Sequence, residues 1–158
     1  MSRKITDFFA SKNKNSFKKV QPIDVYTLMF DGGSRGNPGT AGAGFVIYKD
    51  MREIYSGCAP LGHATNNYAE YKGLELGLTC AIKKGIESLI IKGDSLLVLN
   101  QITNKWKVKS ISLKEQYTNV KKLLNQLRSY TVEHVKRKYN KRADELANMA
   151  MDGTILID

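Results

Sequence analysis

Hydrophobic positions along this chain recur with two periods, near two residues in some stretches and near 3.6 in others, and the switches between them divide it into elements. Val25 to Phe30 reads VYTLMF, nearly all apolar and rich in strand formers, as in a strand buried on both faces. It stops at Asp31, where Gly32-Gly33-Ser34-Arg35-Gly36-Asn37-Pro38-Gly39 predicts a glycine-rich turn. Ala43–Lys49 and Glu53–Ala59 read as two further strands joined by a hairpin turn at Lys49-Asp50-Met51-Arg52. Thr65 or Asn66 can cap a helix running to about Lys84, with Tyr71, Leu74, Leu78 and Ile82 on one face and Gly85 as its stop. Ser88–Lys92 is a short apolar strand leading to Gly93-Asp94. Helical spacing follows over Ser95–Thr103 and Leu113–Arg128, then an alternating strand over Tyr130–Val135 and a last helix over Lys141–Met151.

The order is β-β-β-α-β-α-α-β-α. Strands joined by short turns pair antiparallel, whereas strands entered through helices lie parallel to the first. The fold class expected is α/β: one mixed five-stranded sheet, three antiparallel strands followed by parallel ones, with helices on both faces.

Charge changes the picture next. Lys and Arg number 25 against 15 Asp and Glu in 158 residues, a formal net charge of +10. A balance this basic points to a polyanionic partner, most often nucleic acid. Residues 1–20 hold six cations and one acid, Asp7, and Ala10–Lys19 is polar and without hydrophobic period. Residues 1–21 therefore read as a flexible basic tail, and residues 22–158 as the folded domain. The apolar runs Leu89–Ile91 and Leu96–Leu99 are far shorter than the roughly 20 residues a membrane span needs, so no membrane partner is expected. Two cysteines, Cys58 and Cys80, make no disulfide framework or metal spacing and read as core thiols. The N-terminus lacks the apolar stretch of a secretory signal, so the expected location is intracellular, in cytoplasm or nucleus, with an organelle left open.

The candidate chemistry lies in acids at element ends. Asp31 ends the first strand and Asp94 the fourth, so parallel neighbouring strands would present both at one carboxyl edge, where open α/β sheets usually bind ligands. Glu70, early in the long helix, and Asp144, early in the last, can face that edge. Clustered carboxylates raise one another's pKa unless a cation neutralises them. Oxygen-only ligands favour Mg²⁺ or Mn²⁺. Two such ions about 3.5–4 Å apart clamp the attacking and leaving oxygens of a phosphoryl transfer. A single acid at an element end, taken alone, is usually a turn or cap residue.

Taken together, Asp31-Gly-Gly-Ser-Arg-Gly-Asn-Pro-Gly, Thr65-Asn-Asn-Tyr-Ala-Glu70, Gly93-Asp94-Ser95 and Asn140-Lys-Arg-Ala-Asp144-Glu-Leu-Ala resemble the type 1 ribonuclease H family, over about Val25 to Met151. The resemblance implies the mixed sheet above. It also implies Mg²⁺-dependent endonucleolytic cleavage of the RNA strand of RNA–DNA hybrids, leaving 3′-hydroxyl and 5′-phosphate ends. Asp31, Glu70, Asp94 and Asp144 match the family's metal-binding acids. Asp31 would bridge two ions, Glu70 and Asp94 would complete one site, and Asp144 would help hold the other ion. Gly32, Gly33 and Ser34 would lie against the sugar–phosphate chain, with a turn-only role for the glycines left open. Asn37, Asn66 and Asn67 match positions reading the hybrid's minor groove, where the 2′-hydroxyl marks RNA. Thr65 matches a phosphate-binding position or is simply the cap. Asn140, also set among the substrate-binding residues, would both cap the last helix and orient the site.

Some family members carry a histidine-bearing loop before the last motif. Here the chain reads Glu133-His134-Val-Lys-Arg137, which assigns His134 a structural role and makes Arg137 the residue that helps product leave. Lys105-Trp106-Lys107-Val-Lys109 replaces a longer basic protrusion and suits phosphate contact, or is a solvated loop. In the tail, Ile5, Phe8 and Phe9 share one face of a helical turn, similar to a sliding-clamp-binding peptide, though Ser2 stands where that motif begins with Gln. A targeting segment and a featureless tail are the competing readings. The expected partners are an RNA–DNA hybrid and a sliding clamp, and the expected state is a monomer. Competing functions are a catalytically inactive hybrid-binding module, which would lack at least one of the four acids, and another nuclease of the same superfold.

Overall fold

The computed structural model describes residues 24–158. The readings of the tail, including Ile5, Phe8 and Phe9, lie outside the described residues. Strand β1 is Tyr26–Arg35, β2 Gly39–Lys49 and β3 Arg52–Ala64; helix α1 is Asn66–Lys83, and β4 is Ser88–Gly93. Helix α2 is Leu96–Ile102, α3 Ile111–Leu124, β5 Ser129–His134, and α4 Lys141–Met151, with a 3₁₀ turn over Arg137–Tyr139 before it. The sheet order is β3-β2-β1-β4-β5. β1–β2 and β2–β3 are antiparallel, and β1–β4 and β4–β5 are parallel. This is the mixed sheet expected from the element order.

The pleat sends alternate side chains to opposite faces, and each face has its own cover. Leu28, Phe30, Phe45 and Ile47 pack with Tyr71, Leu74 and Leu78 of α1, while α3 lies over α1 through Leu113, Val120 and Leu124. On the opposite face Val46 and Cys58 meet Ala143, Leu146 and Ala150 of α4. Both cysteines are buried free thiols, as expected from their number and spacing. Among the described residues no helix is long and apolar enough to cross a membrane.

Several boundaries differ from those expected: β2 begins at Gly39 and not Ala43, β3 runs to Ala64 and not Ala59, and α3 begins at Ile111 and not Leu113. The glycine-rich stretch does not leave the sheet at Asp31: β1 continues through Arg35, paired residue by residue with Ala43 down to Thr40 of β2. Only Gly36-Asn37-Pro38 turn, with Gly36 at φ +113° and Asn37 at φ +30°. The glycines serve close approach instead. A Cβ on Gly32 would collide with the backbone of Ala69 and Glu70, and one on Gly42 would come within 2.6 Å of Met151 N and 2.7 Å of Ala147 O. Both site-bearing helices thus rest directly on the sheet backbone.

Helix α3 ends at Leu124, four residues before the expected Arg128. Leu127 is still buried, so the apolar spacing continues, but the chain closes in i→i−3 turns and Arg128 N already bonds to Glu87 O at 2.8 Å. Leu156 also forms a bridge with Cys58 at the outer edge of β3, with N–H···O distances of 2.8 and 3.0 Å. The seven residues after Met151 carry no periodic signal from which that pairing could be read.

Candidate active site

Asp31 and Asp94 meet because β1 and β4 are parallel and in register at Met29 and Lys92, two residues before each acid. Glu70 sits in the second turn of α1, over the backbone of Gly32. Carboxylate oxygens of Asp31, Glu70 and Asp94 lie within 4.8 Å of one another. Asp144, in the first turn of α4, lines the same open cavity of about 500 Å³ and lies close enough to Asp31 to raise its pKa through a side-chain hydrogen bond. Four acids from four elements therefore face one space.

Their electrostatics follow from burial. Asp31 is 6% exposed and Glu70 9%. Burial, helped by the Asp94 charge, pushes the Asp31 carboxyl up to about 7, against hydrogen bonds from Glu70 and the Gly32 N–H that pull it down. Burial and then the Asp31 charge hold Glu70 well above the usual carboxylate range. Glu70 Oε2 is buried and has no hydrogen-bond partner among the described residues. Such an oxygen is costly unless something positive binds it. An all-oxygen, partly buried donor set fits a hard divalent cation and not a structural zinc.

The other expected residues are placed as follows. Ser34 N donates to Asn66 Oδ1 at 2.8 Å and Asn66 N to Asn37 Oδ1 at 3.0 Å, while Ser34 Oγ donates to Ala64 O at 2.6 Å. These bonds clasp the β1–β2 turn to the start of α1. Asn67 is exposed beside them. Thr65 is the cap of α1, its Oγ1 accepting from Tyr68 N at 3.2 Å. Gly33 faces the cavity next to the Met151 side chain.

Asn140 departs from the expectation that its side chain caps α4. It makes no capping bond. Its side chain is 1% exposed, and Nδ2 donates instead to Phe30 O at 2.8 Å. The bond draws it inward, toward the residue preceding Asp31. Arg137 is exposed, with Nη2 3.5 Å from Asp144 Oδ1. His134 Nε2 lies 3.2 Å from the backbone oxygen of Asp94, and Lys105, Trp106, Lys107 and Lys109 stand out on an exposed loop. Two polar cavity residues have no site role in the sequence reading, Arg35 and Asn148. Asn148 follows Asp144 by four residues and donates to its carbonyl at 2.9 Å, so helical spacing alone could have marked it. Arg35 forms a 2.6 Å ion pair with Asp152 that no local pattern announces.

The family model described as reverse transcriptase-like matches residues 29–150. The chain is 44% identical over 124 residues to the bifunctional protein Rv2228c of Mycobacterium tuberculosis, covering 77% of this chain and 34% of that one. The solved N-terminal RNase H domain of that protein, a fusion with maltose-binding protein, matches with a TM-score of 0.80 and 41% identity over 82% of this chain and 95% of that one. Ribonuclease HI of Halobacterium salinarum is 40% identical, over 78% of this chain and 62% of its own length. Its crystal structure gives a TM-score of 0.79 at 38% identity, covering 82% of this chain and 98% of that one. LC11-RNase H1, solved in complex with an RNA/DNA hybrid, gives 0.76 at 32% identity, with 80% and 96% covered. The chain thus spans about a third of the mycobacterial relative and under two thirds of the halobacterial one.

Sheet order, helix placement and the carboxylates gathered at the shared edge of β1 and β4 define a ribonuclease H-like α/β domain. Within that class, the chain belongs to the type 1 ribonuclease H family.

Proposed function

We propose that this chain is an endoribonuclease that hydrolyses the RNA strand of RNA–DNA hybrids, leaving 3′-hydroxyl and 5′-phosphate ends, with residues 22–158 as the catalytic domain. The observation that carries it is the convergence of Asp31, Glu70 and Asp94 within 4.8 Å, with Asp144 lining the same cavity. These four would hold two Mg²⁺ ions, with Mn²⁺ as a substitute. Such ions, when bound, supply an activated water and neutralise charge on the departing oxygen.

The chain's own residues do the rest. The raised affinity of Asp31 and Glu70 for protons is the same unmet demand for positive charge that a divalent ion fills. The clasp of Ser34, Asn37 and Asn66 fixes the rim beside Asp31 before substrate arrives, so little ordering remains at binding. Asn66 and Asn67 then offer amides to a minor groove, where a 2′-hydroxyl can both donate and accept. Gly32 and Gly33 leave the strand backbone bare of side chains at the cavity wall.

The test is cleavage of an end-labelled RNA–DNA hybrid with Mg²⁺, beside RNA–RNA, DNA–DNA and single-stranded RNA, for wild type and Asp94→Asn. Cutting of the hybrid's RNA strand alone, lost in Asp94→Asn, is the expected result. A folded protein that cuts nothing with Mg²⁺ or Mn²⁺ would leave a binding module.

A further inference from the structure

Tyr71 follows Glu70 on α1, about 100° further round the helix, and is fully buried in the core. A buried phenol needs a partner, and its hydroxyl donates to Gln101 Oε1 at 2.6 Å. Gln101, on α2, is 5% exposed, and its Nε2 donates to the backbone oxygen of Lys107 at 3.4 Å. The order of this chain is determined by chemistry. A carbonyl oxygen only accepts, so the amide nitrogen must face Lys107, its oxygen must face Tyr71, and the phenol must donate. Burial also pushes the Tyr71 hydroxyl above its ordinary pKa, which keeps that proton in place.

At the far end of the chain is the loop between α2 and α3. Its first half is held by Lys105 N and Trp106 N, which donate to Asn100 O at 2.8 and 3.1 Å. Its second half carries Lys107 and Lys109, both exposed, with Val108 tucked against the main core. Trp106, half exposed, stands between the lysines. The loop begins one short helix from Asp94: α2 spans seven residues, about 10 Å at 1.5 Å each. It is therefore within a few nucleotides of the acidic cavity along a bound strand.

An apolar pair would fill the space of Tyr71 and Gln101 without the desolvation cost of a phenol and an amide. Building on the hybrid-nuclease reading above, we infer that Tyr71 and Gln101 are positioning residues, a buried hydrogen-bond relay that sets the lysine-bearing loop against the same turn of α1 that carries Glu70. The relay makes the phosphate-contacting loop and the hydrolytic centre one rigid unit, so the strand is gripped at a set distance from the carboxylates. Its contribution lies in substrate grip and not in the chemical step.

Tyr71→Phe removes the hydroxyl and keeps the ring, and leaves Gln101 Oε1 without its donor. The expected result is a KM for hybrid raised about three- to ten-fold with kcat unchanged. The slope of log KM against log salt should fall by about one phosphate contact. Adding Tyr71→Phe to Lys107→Ala/Lys109→Ala should bring no further loss. Tyr71→Phe/Gln101→Met, which removes the stranded polar group, should regain thermal stability and leave KM high. A second readout needs no activity: backbone amides of residues 107–109 should exchange with deuterium faster in Tyr71→Phe than in wild type. Unchanged exchange there, unchanged KM, or a kcat that falls as KM rises would overturn the relay. A wild type that cleaves no hybrid would overturn the nuclease reading instead, and the exchange comparison would then decide the relay alone.

Discussion

Asn140 Nδ2 donates to the carbonyl oxygen of Phe30 at 2.8 Å, joining residues 110 positions apart. The bond fastens the start of α4, and with it Asp144, to the strand residue immediately before Asp31. The backbone oxygen of Asn140 accepts from Asp144 N at 3.1 Å, so the same residue also opens the helix that carries Asp144. One buried residue thus ties two acids from opposite ends of the domain, through its side chain to Phe30 and through its backbone to Asp144.

Asn140→Asp turns the donor into an oxygen facing an oxygen, beside an already acidic cluster. Removing one partner of a buried hydrogen bond costs about 1–3 kcal/mol, and a carboxylate there costs more. Hybrid cleavage should fall ten-fold or more and Tm by roughly 3–10 °C. Asn140→Ala, which strands only the Phe30 carbonyl, should fall at the mild end of both ranges. Melting curves and initial rates on the same preparations check this, and wild-type rates in Asn140→Asp would remove the residue from the site's architecture.

Asp31 gives the pH dependence of the metal-free protein its sign. Folded, its carboxyl keeps a proton up to about pH 7; unfolded, it releases it near 3.8. Across that window the folded state holds more protons, so this contribution is complete below pH 3.8 and is lost as pH rises toward 7. Glu70 acts in the same direction. In EDTA, the Tm of wild type minus that of Asp31→Asn should therefore decline between pH 4 and pH 8, and Asp31→Asn should be several degrees the more stable at pH 8. Millimolar Mg²⁺ should raise the wild-type Tm at pH 8 and leave Asp31→Asn nearly unmoved. A difference that is flat with pH would show the carboxylates to be better solvated than their burial implies.

The legible parts of this fold are those where local pattern and tertiary role agree. Leu74 and Leu78 mark the buried face of α1 by spacing, and the same helix starts at Thr65 because a hydroxyl there satisfies Tyr68 N. Asp31 and Asp94 could be paired on paper because parallel strands entered through helices end at the same edge. Glycine misled, since Gly32 reads locally as a turn former but is in the sheet to let α1 sit on it. Asn140 misled in the same way: a polar residue before a helix reads as a cap, and only the distant carbonyl of Phe30 explains its inward turn. The bridge from Leu156 to Cys58 was not legible at all, because edge pairing by one residue leaves no period to read.

That bridge carries its own prediction. Leu156 donates to and accepts from Cys58, and the Asp158 carboxylate accepts from Ser56 N, so residues 154–158 shield the outer edge of β3. Exposed strand edges recruit other chains. Deleting residues 154–158 should lower Tm by a few degrees and promote self-association at high concentration, with kcat per folded molecule unchanged. Light scattering and a melting curve of the truncated protein decide it. A monomeric, equally stable truncation would show that β3 needs no cover.

Arg137 separates chemistry from turnover. Its guanidinium lies 3.5 Å from Asp144 Oδ1, yet its side chain is 80% exposed, so the pair adds about 1 kcal/mol or less to stability. Arg137→Ala should leave Tm within about 1 °C of wild type. On the hybrid-nuclease reading, a mobile cation at the rim competes for Asp144 and for the new 5′-phosphate, and so loosens product from the cavity. Multiple-turnover kcat should drop about ten-fold in Arg137→Ala, while the single-turnover rate stays within about two-fold, because product release and not cleavage is slowed. Arg137→Lys keeps the charge without the planar fork and should recover part of the loss. Rapid-quench cleavage with enzyme in excess, set beside steady-state assays, separates the two rates. An equal fall in both would place Arg137 in the bond-breaking step, and no fall in either would leave its contact with Asp144 a surface ion pair.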